Sequence, residues 1–105
     1  MLGGMALDIR ECDAADHDAV IELSLRAWAP VFASMEAVLG VALARLLHGA
    51  EWRDHQARAV SETLADSSKP GWVAEGEARI RGFVVAGVAD AERSIGEIAM
   101  LAVDP

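Results

Sequence analysis

The feature that most constrains this chain is a change of hydrophobic period near residue 72. Between residues 17 and 65, apolar side chains recur at the spacing of helices that bury one face. From residue 72 onward they run in extended, Val-rich stretches separated by short turns at 76–79 and 90–94. An extended stretch, Leu7–Cys12, precedes the helices. This order predicts an α+β fold, β-α-α-α-β-β-β, in which helices cover one face of an antiparallel four-stranded sheet.

Proline and glycine divide the helical region. We expect the first helix to end at about Trp28, because Pro30 removes a backbone donor and disfavours a continuing helix. The second helix then runs to Gly49, with a kink expected at Gly40. A third helix fits residues 51–65. The pattern therefore predicts two or three helices, with the first break at the proline.

The first helix has a recognisable start. Asp13 can cap it, and Asp16 places a carboxylate in the positive first turn. Asp13 follows directly on the strand that ends at Cys12. We therefore expect an abrupt strand-to-helix junction.

Charge and composition exclude several classes of protein. The 105 residues are one domain's worth, and 53% of them are hydrophobic. The net charge of −8 argues against a nucleic-acid partner, whose phosphates require a basic patch. An acidic surface either attracts a cationic substrate or simply keeps the protein soluble. No apolar run reaches the ~18 residues that a membrane span needs, so we expect no membrane partner.

Cysteine and histidine usage indicates neither a disulfide nor a metal site. Cys12 is the only cysteine, which excludes an intrachain disulfide and fits a reducing compartment. Residues 1–4 do not resemble a signal peptide, so we expect a cytoplasmic location. His17, His48 and His55 lack the spacing of metal ligands. Cys12 is expected to be a small packed hydrophobe rather than a nucleophile.

Several segments together resemble one enzyme family. Residues 9–16 look like an opening strand and first helix cap, and residues 26–32 resemble a helix of small bacterial acetyltransferases. Residues 72–84 are similar to a hairpin in which a Gly-Phe pair follows the turn. Residues 96–105, Gly-Glu-Ile-Ala-Met-Leu-Ala-Val-Asp-Pro, look like the family's fourth strand. By these segments the chain resembles the GNAT (GCN5-related) N-acetyltransferase superfamily.

This resemblance implies an activity and also a departure from it. It implies transfer of acetyl from acetyl-CoA to a primary amine of a small molecule or peptide. In the family, a glycine-rich loop after the fourth strand holds the cofactor's pyrophosphate at a helix N-terminus. Residues 1–105 would then be a single N-terminal portion of the domain without that loop and the C-terminal half. Weak or absent acetyl-CoA binding is expected, and the alternative function is a half-domain that self-associates without turnover.

The resemblance also suggests site residues. Glu97 is the candidate general base, since the attacking amine must lose a proton; the competing interpretation is an exposed carboxylate that orients substrate or water. Leu101, Ala102 and Val103 would contact the acyl-pantetheine arm through their backbone, with the N–H of Leu101 or a neighbour facing the thioester carbonyl. The side chains of Leu101 and Val103 can pack in the core at the same time.

The acceptor pocket and the oligomeric state are the remaining expectations. Trp28 and Phe32 would line the acceptor pocket, against the alternative of an aromatic pair in the core. The strand at residues 95–103 is apolar and would have an unpaired edge, which invites pairing with another copy. We therefore expect a homodimer or a larger assembly through this edge or the uncovered sheet face. A small unrelated α+β binding module is a third hypothesis.

Overall fold

A computed structural model describes residues 7–49 and 51–105 and confirms the predicted order of elements. The strands are β1 (Asp8–Glu11), β2 (Gly71–Gly76), β3 (Arg79–Asp90) and β4 (Ile95–Val103), and the helices are α1 (His17–Leu39), α2 (Val41–His48) and α3 (Trp52–Ala65). A single 3-10 turn, Ala14–Asp16, joins β1 to α1. The fold is α+β, as the sequence indicated.

The four strands form one antiparallel sheet in the order β1-β2-β3-β4. Glu77 and Ala78 close the β2–β3 hairpin with φ of 53° and 63°. Positive φ at both central residues is typical of the two-residue turn whose twist matches the flanking strands. The register of β3 against β4 shifts between Val85 and Ala86. Sequence neighbours are therefore sheet neighbours throughout, and β1 and β4 are the two edge strands.

The predicted helix break at Pro30 is wrong. Helix α1 continues through Pro30 to Leu39, and the chain breaks instead at Gly40, where φ is 84° and ψ is 152°. A proline inside a helix removes one hydrogen bond and costs about 3 kcal/mol. The ring centroids of Trp28 and Phe32, which lie on either side of the proline, are 6.0 Å apart, and the ring of Phe32 also lies 4.3 Å from that of Trp52 on α3. Gly40 adopts a backbone conformation that L side chains rarely adopt, and this conformation ends the helix.

The helices pack on one face of the sheet. The buried core joins α1 and α3 to β2, β3 and β4 through Val20, Leu23, Val60, Val73, Ile80, Phe83, Val85 and Ala102. Burying one such large apolar side chain contributes about 1.5–3 kcal/mol. Cys12 packs against this cluster, and burial raises the pKa of its thiol. This placement fits the packed role expected of Cys12.

The opposite face of the sheet carries apolar side chains that no helix of the described residues covers. Ile9, Trp72, Ala74, Val84, Leu101 and Val103 line a shallow depression there, of about 160 Å³. Ile9 is 69% exposed and Val103 is 67% exposed. A contiguous exposed apolar patch marks an interaction surface more often than chance placement does. We call this surface the uncovered face.

A carboxylate–guanidinium pair fixes the junction between β1 and α1. Asp16 is 8% exposed, and both of its oxygens accept hydrogen bonds from Arg10, at 2.7 and 2.8 Å. Asp16 also accepts from the N–H of Asp13 at 2.9 Å, while Asp13 accepts from the N–H of Ala15. This reciprocal arrangement is a capping box. The Arg10 hydrogen bonds lower the pKa of Asp16 to about 2.

Candidate functional site

The outer edge of β4 presents backbone groups that β3 does not use. The N–H of Asp104 donates to the carbonyl of Arg81 at 2.7 Å, so these residues form a bonded pair of the ladder. Bonded and non-bonded pairs alternate along an antiparallel ladder. In the observed register Ala102 therefore bonds to β3, whereas Leu101 and Val103 do not. The N–H and C=O groups of Leu101 and Val103 point outward.

The three residues expected to contact a cofactor thus differ in their exposure and in the direction of their backbone groups. Ala102 is 8% exposed and belongs to the core. Leu101 and Val103 are 61% and 67% exposed, and both lie on the uncovered face. No strand of the described chain pairs with the outer edge of β4. The outward N–H groups of Leu101 and Val103 are therefore donors that a ligand can reach.

An ion cluster that the sequence analysis missed anchors the end of β4. Arg79 donates to Asp104 at 2.7 Å, and Arg26 of α1 approaches the same carboxylate at 3.4 Å. The side chain of Asp104 is only 10% exposed, and the hydrogen bonds from Arg79 and then Arg26 lower its pKa. The only sequence feature that could have indicated this cluster is the position of Asp104, an acidic residue directly after an apolar strand. The cluster ties the strand end to α1 and to the start of β3.

A cleft opens between α1, α3 and β4. Ser24, Trp28, Gln56, Phe83, Ile98, Ala99, Met100, Leu101 and Ala102 line it, and its volume is about 350 Å³. Ser24 is 1% exposed, and it accepts a hydrogen bond of 2.9 Å from the side-chain amide of Gln56. This bond gives the buried hydroxyl of Ser24 a partner and joins the two helices. The cleft floor is therefore apolar, with one fixed polar contact.

The predicted acceptor residues Trp28 and Phe32 line neighbouring clefts. Trp28 is 39% exposed and lines the cleft beside β4. Phe32 lines a second cleft of about 610 Å³ with Trp52, and the two ring centroids lie 4.3 Å apart. Gln56 contributes to both clefts. The two aromatic residues therefore border open space instead of filling the buried core. Trp52 is a third aromatic residue at these clefts, and the sequence analysis did not assign it to a site.

Glu97 lies on β4 outside both clefts. It is exposed and pairs with Gly87 across the sheet. Within residues 7–49 and 51–105 it makes no ion pair. It is four residues from Leu101, which is about 13 Å along an extended strand. A proton transfer from an amine held near Leu101 to Glu97 would therefore run through water.

Other chemistries find little support in the described residues. No group of three or more His, Cys, Asp or Glu side chains there could hold a metal ion. In the same part of the chain, no helix is long and apolar enough to cross a bilayer.

Comparison with known proteins identifies the fold. No protein-family model and no curated protein matches by sequence. Among solved structures, the chain is similar to an aminoglycoside N-acetyltransferase AAC(6')-Iy in complex with CoA, with TM-score 0.57 and 16% identity over 97% of this chain and 58% of that one. It is also similar to PaiA N-acetyltransferase from Thermoplasma acidophilum in complex with coenzyme A, with TM-score 0.59 and 15% identity over 96% of this chain and 60% of that one.

A third solved structure agrees. A possible acetyltransferase from Clostridium difficile 630 is similar at TM-score 0.54 and 17% identity, over 93% of this chain and 57% of that one. By these comparisons, the chain has an acetyltransferase-like α+β fold. The chain has a GNAT-like fold, as the sequence resemblance implied, and it spans 57–60% of the length of these three structures.

Proposed function

We propose that the chain carries the acyl-binding strand of an acetyl-CoA-dependent N-acetyltransferase that acts on a primary amine of a small molecule or peptide. The observation that supports this most directly is the outward N–H of Leu101 and of Val103 on the open edge of β4. A donor aimed at a developing oxyanion stabilises the tetrahedral intermediate of acyl transfer. The similarity to N-acetyltransferases solved with CoA supports the choice of cofactor.

In the proposed reaction, the amine nitrogen attacks the thioester carbonyl carbon and forms the new C–N bond. The carbonyl oxygen of the intermediate accepts a hydrogen bond from the N–H of Leu101. As the intermediate collapses, the C–S bond breaks and the sulfur leaves as the thiolate of CoA. Glu97 accepts the proton of the amine through water. Trp28 and Phe32 would hold the apolar part of the acceptor in the adjoining clefts.

Cofactor affinity should be weak in this chain. The outward groups of β4 can hold the acyl-pantetheine arm, whereas the sequence contains no glycine-rich loop before a helix to hold the pyrophosphate. Arg26 and Arg79 bring positive charge to this strand end, and Asp104 already pairs with both. We therefore expect weak binding of acetyl-CoA.

An NMR titration with acetyl-CoA tests this proposal. Amide shifts should move at Leu101 and Val103 and stay fixed at Val73, which lies buried in β2. Desulfo-CoA, which has no thioester carbonyl, should move the Leu101 amide less than acetyl-CoA does. An absence of shifts on β4 at millimolar acetyl-CoA would contradict the proposal, and a sub-micromolar affinity by calorimetry would contradict the expected weakness.

A further inference from the structure

The open edge of β4 also has the properties of a pairing surface for an identical strand. The outward groups at Leu101 and Val103 are separated by one residue, which is the repeat of hydrogen-bonded positions in an antiparallel ladder. Their side chains lie on the uncovered face and are apolar. Native proteins usually protect such an edge with charged residues, proline or a covering element. From Ile98 to Val103 this strand contains no charged residue.

We propose that the chain self-associates through antiparallel pairing of β4 with β4 of a second copy, and that this pairing excludes acetyl-CoA. In the register we favour, Leu101 of one copy lies opposite Val103 of the other. Each opposed pair then exchanges both of its backbone hydrogen bonds, using the groups that β3 leaves free. The side chains of these residues meet as cross-strand apolar neighbours, which stabilises a sheet.

Local charge does not oppose an identical partner in this register. Asp104 follows the paired segment, but its carboxylate turns to Arg26 and Arg79 and is only 10% exposed. The two Glu97 side chains lie about 30 Å apart along the paired strands, given ~3.3 Å per residue. A net charge of −8 on each copy makes the pair repel at long range, and salt screens that repulsion. No like charges therefore meet at the proposed contact.

Competition with the cofactor follows from the shared donor. The N–H of Leu101 that would face the thioester carbonyl is the group that would bond to Val103 of the second copy. This part of the inference rests on the proposed function. Acetyl-CoA should shift the equilibrium towards monomer, and the self-associated form should be unable to bind the acyl arm.

The test uses a charge-swap pair of double variants, measured by analytical ultracentrifugation of the full chain. One variant combines Leu101→Lys with Val103→Lys, and the other combines Leu101→Glu with Val103→Glu. Like charges lie directly opposite in each variant alone, so its dissociation constant should rise at least about tenfold. An equimolar mixture should dimerise again, because opposite charges then face each other. Far-UV circular dichroism checks that each variant is folded.

A matched control separates the edge from the uncovered face. Ile9 is 69% exposed on the same face but lies on β1, at the other edge of the sheet. Ile9→Lys should leave the dissociation constant unchanged. A monomeric wild-type chain, dimers of either double variant alone, a mixture that stays monomeric, or dissociation by Ile9→Lys would each overturn the proposed pairing.

A final arm adds acetyl-CoA to the wild-type dimer. Conversion to monomer supports the shared edge, whereas acetyl-CoA that binds without changing the dimer overturns the competition. If acetyl-CoA does not bind β4 in the NMR titration, the proposed function fails and the competition with it. The charge-swap result would stand by itself in that case, so the two failures are distinguishable.

Discussion

Replacing Asp16 by Asn should show how strongly one ion pair holds β1 to α1. The variant keeps the size of the side chain but removes the charge that accepts two hydrogen bonds from Arg10. The pKa of Asp16 lies at about 2 in the folded chain, against an ordinary value of 3.8. At ~1.36 kcal/mol per pKa unit, the difference corresponds to on the order of 2 kcal/mol of stability. We expect Asp16→Asn to lower the free energy of unfolding by about that amount at neutral pH.

The pH dependence has a definite sign. Because the folded pKa is the lower one, the unfolded chain takes up a proton first as the pH falls. The stability from this group is fully present above about pH 4 and is lost as the pH falls towards 2. The difference between wild type and Asp16→Asn should therefore shrink over that interval.

Urea unfolding followed by tryptophan fluorescence, at several pH values between 6 and 2, measures this difference. Glu22→Gln is the matched control, since Glu22 is exposed on α1, and surface substitutions usually stay within about 0.5 kcal/mol. A constant difference between wild type and Asp16→Asn at every pH would refute the reasoning. An equal loss in Glu22→Gln would refute it too, because the effect would then be one of general charge.

Three further perturbations test the fold and the end of β4. Pro30→Ala should raise the free energy of unfolding by about 1–3 kcal/mol in urea melts, because α1 regains a hydrogen bond at an exposed position; a loss of stability would mean that the proline is needed. Phe83 is 5% exposed, and Phe83→Ala should cost about 3–5 kcal/mol through lost burial and a cavity, whereas Val88→Ala at a 70% exposed site should change little. Asp104→Asn should speed hydrogen exchange of the Ala102 amide while leaving that of Val73 unchanged, because Arg79 and Arg26 lose their shared carboxylate; unchanged exchange at Ala102 would show that the cluster does not anchor β4.

The candidate site was predictable only in part. Residues 101–103 could be singled out because the segment 96–105 resembles a known strand. The amino-acid sequence alone does not show which of their N–H groups point away from β3. That direction follows from the register of β4 against β3. The bond from the N–H of Asp104 to the carbonyl of Arg81 shows which residues of β4 form the hydrogen-bonded pairs and which do not. Trp52 and Asp104 were missed because each meets its partners only after distant parts of the chain are brought together.

The sequence by itself determined the order of the elements, the bounds of β4 and the capping residue Asp13, because period, turn composition and caps are local properties. It did not determine where α1 ends. Local preference predicted a break at Pro30, but the helix continues past the proline, where Phe32 contacts Trp52 of α3, and the backbone at Gly40 ends the helix instead. The tertiary structure alone decided which sheet face stays uncovered and which edge is open, because both depend on where the helices pack relative to strands far away in sequence.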